Sequence, residues 1–168
     1  IYMSYAKKQG KGEVLVIARA KLNGNALEGL EEVFVCGPEW EGGRHFGSRI
    51  VFDNDGYLYF SNGDKGSRPV NAQELDNDHG KIHRIYDDGR IPEDNPFVNT
   101  PGASPSIWTY GNRNPQGMVY DKANNRIWAD EHGPKGGDEL NLIEKGKNYG
   151  WPVISYGINY DGTILNDL

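Results

Sequence analysis

Short apolar runs alternate with turns rich in glycine, asparagine and aspartate along the whole chain. Within many runs the apolar residues occupy every second position, which is the pattern of a strand with one buried face. No segment sustains the 3.6-residue spacing of an amphipathic helix. The predicted strands lie in IYMSYA, EVLVIARAKL, LEEVFVC, RIVF, YLYFSN, KIHRIY, SIWTYG, GMVYD, NRIWADE and ELNLIE. This pattern predicts an all-β fold.

Three turns connect these strands as β-hairpins. Asn54–Gly56 joins two apolar runs, and Asp87–Gly89 repeats the arrangement within KIHRIYDDGRIP. Asparagine or aspartate before glycine favours the positive φ angles of short hairpin loops. The polar turn Lys122–Asn125 lies between two further strands. A strand-turn-strand unit recurs after about 65–70 residues, which is consistent with propeller blades that carry long insertions.

The chain shows no division into separate domains. Residues 92–105 contain four prolines and no periodicity, which predicts an irregular loop on an outer surface or at the rim of a cleft. No linker separates two parts of the sequence. We therefore predict that residues 1–168 are part of a single domain, and the strand-turn-strand repeat is consistent with a β-propeller domain.

Composition fits many short strands and narrows the range of partners. Glycine accounts for 23 of 168 residues and tyrosine for ten, which suits tight turns and aromatic-lined pockets. The net charge is -6 with no basic stripe, so nucleic acid is not expected as a partner. No apolar run approaches the length of a membrane span. The single cysteine, Cys36, lies in the run VFVC and is predicted to be a buried free thiol.

His45 and Asp64 are candidates for proton transfer. His45 precedes the first strand of the Asn54–Gly56 hairpin, and Asp64 follows the second strand. Antiparallel pairing can bring these two segments together. A carboxylate beside an imidazole orients the ring and stabilises its charged form, so His45 is a candidate general base. The alternative is a loop histidine and an unrelated aspartate that caps its own turn.

The segment GNRNPQG is a candidate binding element. Arg113 lies there among three amide side chains, one of them Asn114, in a turn held by Pro115. A guanidinium carries a permanent charge and a fixed fork of donors, so the segment suits an anionic ligand. The alternative is a polar turn that its own asparagines cap.

The segment DEHGPKGGDELNL is a candidate metal site, although its acidic residues do not follow the order of an EF-hand. The carbonyl oxygens of Gly133 and Pro134 and the carboxylate of Glu139 have the oxygen chemistry that calcium prefers. The alternative is a solvated acidic loop. Together with Arg113, the segment suggests a site where a carboxylated small molecule and a metal meet.

Three motifs together resemble one known family. YGNRNPQGM, EHGPKGGDELNLIEKGKNYGWP and RHFGSRIVF…GYLYFSNGDKG are similar to motifs of the soluble sugar dehydrogenases that depend on pyrroloquinoline quinone (PQQ). This family includes the aldose sugar dehydrogenases and soluble glucose dehydrogenase, and the resemblance covers about residues 40–160. Family members are β-propellers longer than this chain. The resemblance implies that the chain is a fragment with about three blades of a six-bladed β-propeller.

The resemblance implies roles in catalysis for four residues. His45 resembles the general base that takes the proton of the sugar's anomeric hydroxyl, and Asp64 resembles its acidic partner. Arg113 and Asn114 resemble the pair that binds PQQ, with Arg113 beside the carbonyl that reacts. The implied reaction oxidises an aldose to a lactone and passes a hydride to PQQ.

Five further residues resemble cofactor and metal ligands of the family. Gly133 and Pro134 correspond to the carbonyl groups that hold the catalytic calcium against PQQ. Glu139 and the carbonyl of Tyr149 resemble ligands of a second, structural calcium. Tyr160 resembles a residue that lines the cofactor pocket.

The resemblance also sets expectations for the whole protein. It implies an aldose sugar substrate, an external electron acceptor and a periplasmic or secreted location, and it allows a homodimer. His132 and Arg44 differ from soluble glucose dehydrogenase, and they favour the aldose sugar dehydrogenases. Two other functions stay open: a non-catalytic propeller that binds a partner, and a calcium-dependent hydrolase of the lactonase type.

Overall fold

The structure is a computed structural model that describes residues 1–165, and its regular elements are almost entirely β-strands. The strands are β1 Tyr2–Gln9, β2 Gly12–Asn23, β3 Ala26–Val35, β4 Ile50–Phe52, β5 Leu58–Asn62, β6 Lys81–Ile85, β7 Ile107–Tyr110, β8 Pro115–Asp121, β9 Arg126–Glu131 and β10 Glu139–Ile143. The single helical element in this range is a short 3₁₀ turn at Pro69–Ala72. Within the same range, no helix has the length and apolar character needed to cross a bilayer. The prediction of an all-β chain is confirmed.

The strands form three sheets that follow one another along the chain. The first sheet contains β1, β2 and β3, the second contains β4 to β7, and the third contains β8, β9 and β10. Within each sheet every strand pairs with its neighbour in the sequence, and all pairs are antiparallel. Each sheet is therefore a meander, which is the arrangement of a propeller blade.

Two apolar cores lie on opposite sides of the second sheet. Successive side chains of a strand point to opposite faces, so the neighbours in β5 contribute to different cores. Leu58 and Phe60 pack with the first sheet around Cys36, which is a buried free thiol as predicted. Tyr59 packs with the third sheet around Met118. The second sheet is consequently covered on both faces and lies between the other two.

Most of the predicted connections are confirmed. Asn54–Gly56 joins β4 to β5, and the carboxylate of Asp53 accepts a hydrogen bond of 2.9 Å from the backbone N–H of Tyr57. Lys122–Asn125 joins β8 to β9. Residues 92–105 contain no strand or helix. The Asn54–Gly56 hairpin matters most, because its two open ends carry candidate site residues.

The predicted hairpin at Asp87–Gly89 is wrong. The turn forms, since the N–H of Tyr86 donates to the carbonyl of Arg90 over 2.9 Å, but no strand follows it. β6 pairs with β7 instead. The chain leaves the sheet because Ile91 packs against the first core and Pro92 has no N–H to donate to a ladder.

Candidate active site

His45 and Asp64 form a hydrogen-bonded pair at one end of the β4–β5 hairpin. The Nδ1 atom of His45 lies 2.6 Å from Oδ1 of Asp64. Ile50 pairs with Phe60 in the antiparallel register, which brings the segment before β4 beside the segment after β5. The side chain of Asp64 is 1% exposed and that of His45 is 17% exposed. The carboxylate is thus removed from water while the imidazole keeps access to it.

Two further donors hold the Asp64 carboxylate. The indole Nε1 of Trp151 donates to Oδ2 over 2.7 Å, and the N–H of Gly66 donates to Oδ1 over 2.9 Å. Because a carboxylate can only accept, the Nδ1 atom of His45 carries the proton in their shared hydrogen bond. In the neutral ring Nε2 is then the basic nitrogen, and it makes no hydrogen bond to any group of residues 1–165.

The backbone around His45 is closely packed against the end of β5. His45 has a φ of 54°, in the left-handed region that residues other than glycine seldom adopt. Its carbonyl lies against Gly63, where a Cβ atom would overlap both that oxygen and Oδ1 of Asn114. The same Asn114 oxygen accepts a hydrogen bond of 3.1 Å from the N–H of Gly47. Glycine at position 63 therefore allows the His45 loop and Asn114 to meet.

Glu131, at the end of β9, orders the segment that carries Arg113. Its carboxylate accepts hydrogen bonds from the backbone N–H groups of Arg113 and Asn114. It also accepts from the side-chain amides of Asn112 and Asn141, over 3.1 and 3.3 Å. Burial raises the pKa of Glu131 to about 7, since desolvation of the ionised form outweighs these donors.

The guanidinium of Arg113 is buried without an ion pair. Its Nη1 donates to the carbonyl oxygens of His132 and Gly133 over 2.9 and 2.8 Å. Its Cζ lies 5.3 Å from the ring centre of Trp151. Arg113 is 9% exposed, and no carboxylate of the described chain forms a salt bridge with it. A buried charge with only neutral partners is predisposed to bind an anion.

One cavity of about 350 Å³ brings these groups together, and its volume is within the usual range of ligand sites. Its functional lining comprises Arg44, His45, Asp64, Arg113, Trp151 and Tyr160. Two arginines face one aspartate there, although the chain as a whole has a net charge of -6. A larger surface depression of about 650 Å³ around Trp40 contains neither histidine nor arginine. The smaller cavity is therefore the candidate active site, and its charge suits an anionic ligand.

The other predicted cofactor and metal residues differ in their position relative to this cavity. Pro134 and Tyr160 line it, and the side chain of Tyr160 is largely exposed, whereas Asn114 and Gly133 lie next to lining residues but not in the lining itself. The carbonyl oxygen of Gly133 faces the Arg113 guanidinium. A cation that binds this oxygen has to compete with Arg113 for it.

Glu139 and Tyr149 lie outside the cavity lining. The carboxylate of Glu139 accepts from the amide of Asn141 over 3.0 Å. The hydroxyl of Tyr149 donates to the carbonyl of Leu142 and accepts from the N–H of Glu144, so this side chain fastens the end of β10. In the described part of the chain, no three His, Cys, Asp or Glu side chains are grouped to hold a metal. The second calcium stays a prediction.

Trp151 is a site residue to which the sequence analysis assigned no role. Its N–H reaches Asp64, 87 positions earlier in the chain, and its ring faces Arg113. Local spacing cannot reveal a contact over such a separation. The available signal was an aromatic residue next to Pro152, at the end of the glycine-rich acidic segment.

Known proteins share this fold and sequence. The family described as glucose/sorbosone dehydrogenase matches residues 1–167. An aldose sugar dehydrogenase of Escherichia coli is 46% identical over 165 residues, which cover 96% of this chain and 44% of that protein. The crystal structure of the soluble E. coli aldose sugar dehydrogenase in its apo form has a TM-score of 0.89 at 42% identity, over 96% of this chain and 47% of that one. The PQQ-bound aldose sugar dehydrogenase of Streptomyces coelicolor has a TM-score of 0.72 at 33% identity, over 95% and 46% of the two chains.

The chain spans less than half the length of each of these relatives. The solved relatives are β-propellers, and three meander sheets in about half of such a molecule agree with the predicted fold class, which is confirmed. The family matches nearly the whole sequence, which agrees with the similarity to the solved structures. The chain belongs to the glucose/sorbosone dehydrogenase family.

Proposed function

We propose that the whole protein is a PQQ-dependent dehydrogenase that oxidises the anomeric hydroxyl of aldose sugars to lactones. The observation that carries this proposal is one cavity lined by a carboxylate-bound imidazole, His45, and by an arginine without an ion pair, Arg113. A relative at 46% identity is an aldose sugar dehydrogenase, and a solved relative binds PQQ. Both support the assignment.

The cavity is compatible with PQQ in charge. PQQ has three carboxylates, and Arg113 and Arg44 both line the cavity without an acidic partner among the described residues. Arg113, Asn114 and Tyr160 would hold the cofactor. When bound, PQQ would supply the hydride acceptor, and calcium would supply a Lewis acid beside it.

The calcium part of the proposal rests on the carbonyl groups of Gly133 and Pro134. Carbonyl oxygens are suitable calcium ligands. The oxygen of Gly133 accepts a hydrogen bond from Arg113. A calcium ion at this oxygen would free a donor of Arg113 for an anionic group in the cavity. We therefore expect calcium and PQQ to strengthen each other's binding.

His45 moves the proton in this proposal. Its Nε2 atom accepts the proton of the sugar hydroxyl, because Nδ1 is committed to Asp64. Asp64 stabilises the imidazolium that results, and its two other donors keep the carboxylate in place. Arg113 adds a permanent positive charge to the cavity, which stabilises negative charge that develops there during the reaction.

Two alternative functions predict different behaviour. A non-catalytic propeller would bind a partner without turnover, and a lactonase-type hydrolase would act without PQQ. The buried Asp64 carboxylate fixed on His45 favours an enzyme over a binding module, because a binding module does not require an oriented base. The PQQ-bound relative favours the dehydrogenase over the hydrolase. The proposal includes an external electron acceptor and a periplasmic or secreted location.

The test uses the full-length protein with PQQ, calcium, an aldose and a redox dye. We expect dye reduction, and His45→Gln lowers kcat by about 10²-fold or more. Asp64→Asn also lowers kcat, whereas Asp55→Asn, in the exposed β4–β5 turn, leaves it unchanged. Full activity of His45→Gln, or lactone hydrolysis without PQQ in place of dye reduction, would contradict the proposal.

A further inference from the structure

Trp151 contacts both halves of the candidate site. Its indole N–H donates to Oδ2 of Asp64 over 2.7 Å, on the side of the carboxylate that His45 does not use. Its ring lies 5.3 Å from Cζ of Arg113, and the residue lines the shared cavity. One rigid side chain thus contacts both the His45–Asp64 pair and the Arg113 guanidinium.

The backbone holds Trp151 in this position from two sides. Its N–H donates to the carbonyl of Gly111 over 2.9 Å, and its carbonyl accepts from the side-chain amide of Gln73 over 2.6 Å. Gln73 and Asn148 in turn bond to each other through both amide groups. Trp151 is 8% exposed. A side chain anchored in this way can fix the orientation of the groups that it contacts.

The Asp64 carboxylate distributes its charge over three donors, which are His45, Gly66 and Trp151. A donor on Oδ2 stabilises the carboxylate and weakens the hydrogen bond that Oδ1 accepts from the imidazole N–H. It also prevents the carboxyl group from rotating away from His45. The other charges near the pair are Lys65, with Nζ 3.4 Å from the His45 carbonyl oxygen, and the two arginines of the cavity.

We propose that Trp151 is a positioning residue, which fixes the His45–Asp64 pair through its indole N–H and the Arg113 guanidinium through its ring. The inference rests on the proposed function for its kinetic consequence, because His45 is the base only if the dehydrogenase reaction occurs. Its structural consequence is independent of turnover. Removing the N–H strengthens the hydrogen bond between Asp64 and the imidazole. Removing the ring also lets the Arg113 guanidinium change its orientation.

The experiment compares Trp151→Phe, which keeps a ring but has no N–H, with Trp151→Leu, which has neither. The first readout is the NMR resonance of the His45 Nδ1 proton in the full-length protein without cofactor, assigned by comparison with His45→Gln. We expect Trp151→Phe to move this resonance downfield, because Asp64 then accepts more strongly from the imidazole N–H. Trp128→Phe, a tryptophan in β9 outside the cavity lining, leaves it unchanged.

Coupling through Asp64 is measured in a double-mutant cycle. In the Asp64→Asn background, adding Trp151→Phe should cause no further shift of the His45 Nδ1 proton resonance, because the acceptor of the indole N–H is altered. In the holoenzyme, Trp151→Phe should lower kcat about tenfold with little change in KM, and Trp151→Leu should also weaken PQQ binding.

An unchanged His45 Nδ1 proton resonance in a folded Trp151→Phe protein would overturn the inference, as would an equal shift with and without the Asp64 carboxylate. A shifted resonance in a protein that oxidises no aldose would overturn the proposed function and leave the positioning role intact. A variant that fails to fold is replaced by Trp151→His, where a ring N–H should restore part of the wild-type resonance position.

Discussion

Hydrogen bonding and burial shift the pKa of Glu131 in opposite directions. Four N–H donors, from Asn112, Arg113, Asn114 and Asn141, converge on its carboxylate and favour the ionised form. Burial favours the neutral form and has the larger effect, so the pKa of Glu131 rises from 4.5 to about 7. A change of this size corresponds to about 3 kcal/mol.

Glu131→Gln removes this titration. In the wild-type protein the folded state binds the Glu131 proton more tightly than the unfolded state does, so this stabilisation is complete below about pH 4.5 and is lost as the pH rises through about 7. The glutamine variant places an amide NH₂ against N–H donors, at a cost of about 1–3 kcal/mol that does not depend on pH. The difference in unfolding free energy, wild type minus variant, should therefore fall by about 2 kcal/mol between pH 5 and 7 and level off above pH 7.

Urea unfolding of the full-length protein at pH 5, 6, 7 and 8 measures this difference. Glu93→Gln is the control, because Glu93 is exposed and should show no such dependence over this range. A difference between wild type and Glu131→Gln that grows with pH would refute the reasoning. It would mean that the donors outweigh desolvation and that the pKa of Glu131 lies below its ordinary value.

Three further predictions concern the cavity. Arg113→Lys keeps the charge but loses the planar fork, so PQQ affinity, followed by tryptophan fluorescence, should fall about tenfold, and an unchanged affinity would contradict this. Gly63→Ala forces a Cβ atom against the His45 carbonyl and should lower the free energy of unfolding by about 1–3 kcal/mol, whereas a fully stable variant would contradict the close packing. Removing calcium with a chelator should weaken PQQ binding, because Arg113 then stays bonded to Gly133, and affinity independent of calcium would exclude this competition.

Much of the fold could be predicted from the sequence because strand burial follows a two-residue period. Met118 and Tyr120 in β8, and Ile127 and Ala129 in β9, occupy every second position, and all four lie in the second core. β5 has no such alternation, since Leu58, Tyr59 and Phe60 are all buried between two sheets. The error at Asp87–Gly89 arose because turn composition predicts a turn but not the partner strand after it.

The site was partly predictable because part of it lies at the two ends of one hairpin. A hairpin fixes the proximity of its two ends, so His45 and Asp64 could be paired from the sequence, and the structure places them 2.6 Å apart. The contacts of Arg113 with Gly133 and Trp151 depend on how separate sheets and loops close on each other. No local pattern encodes that closure, so the positions of these groups required the folded structure.

The proposed function requires PQQ to occupy the cavity between the His45–Asp64 pair and Arg113. A crystal structure of the full-length protein with PQQ and calcium would locate the cofactor. We expect density for PQQ in contact with the Arg113 guanidinium, in the same cavity as His45. Density for PQQ elsewhere, with Arg113 still bonded only to the carbonyl groups of His132 and Gly133, would be inconsistent with the proposed function.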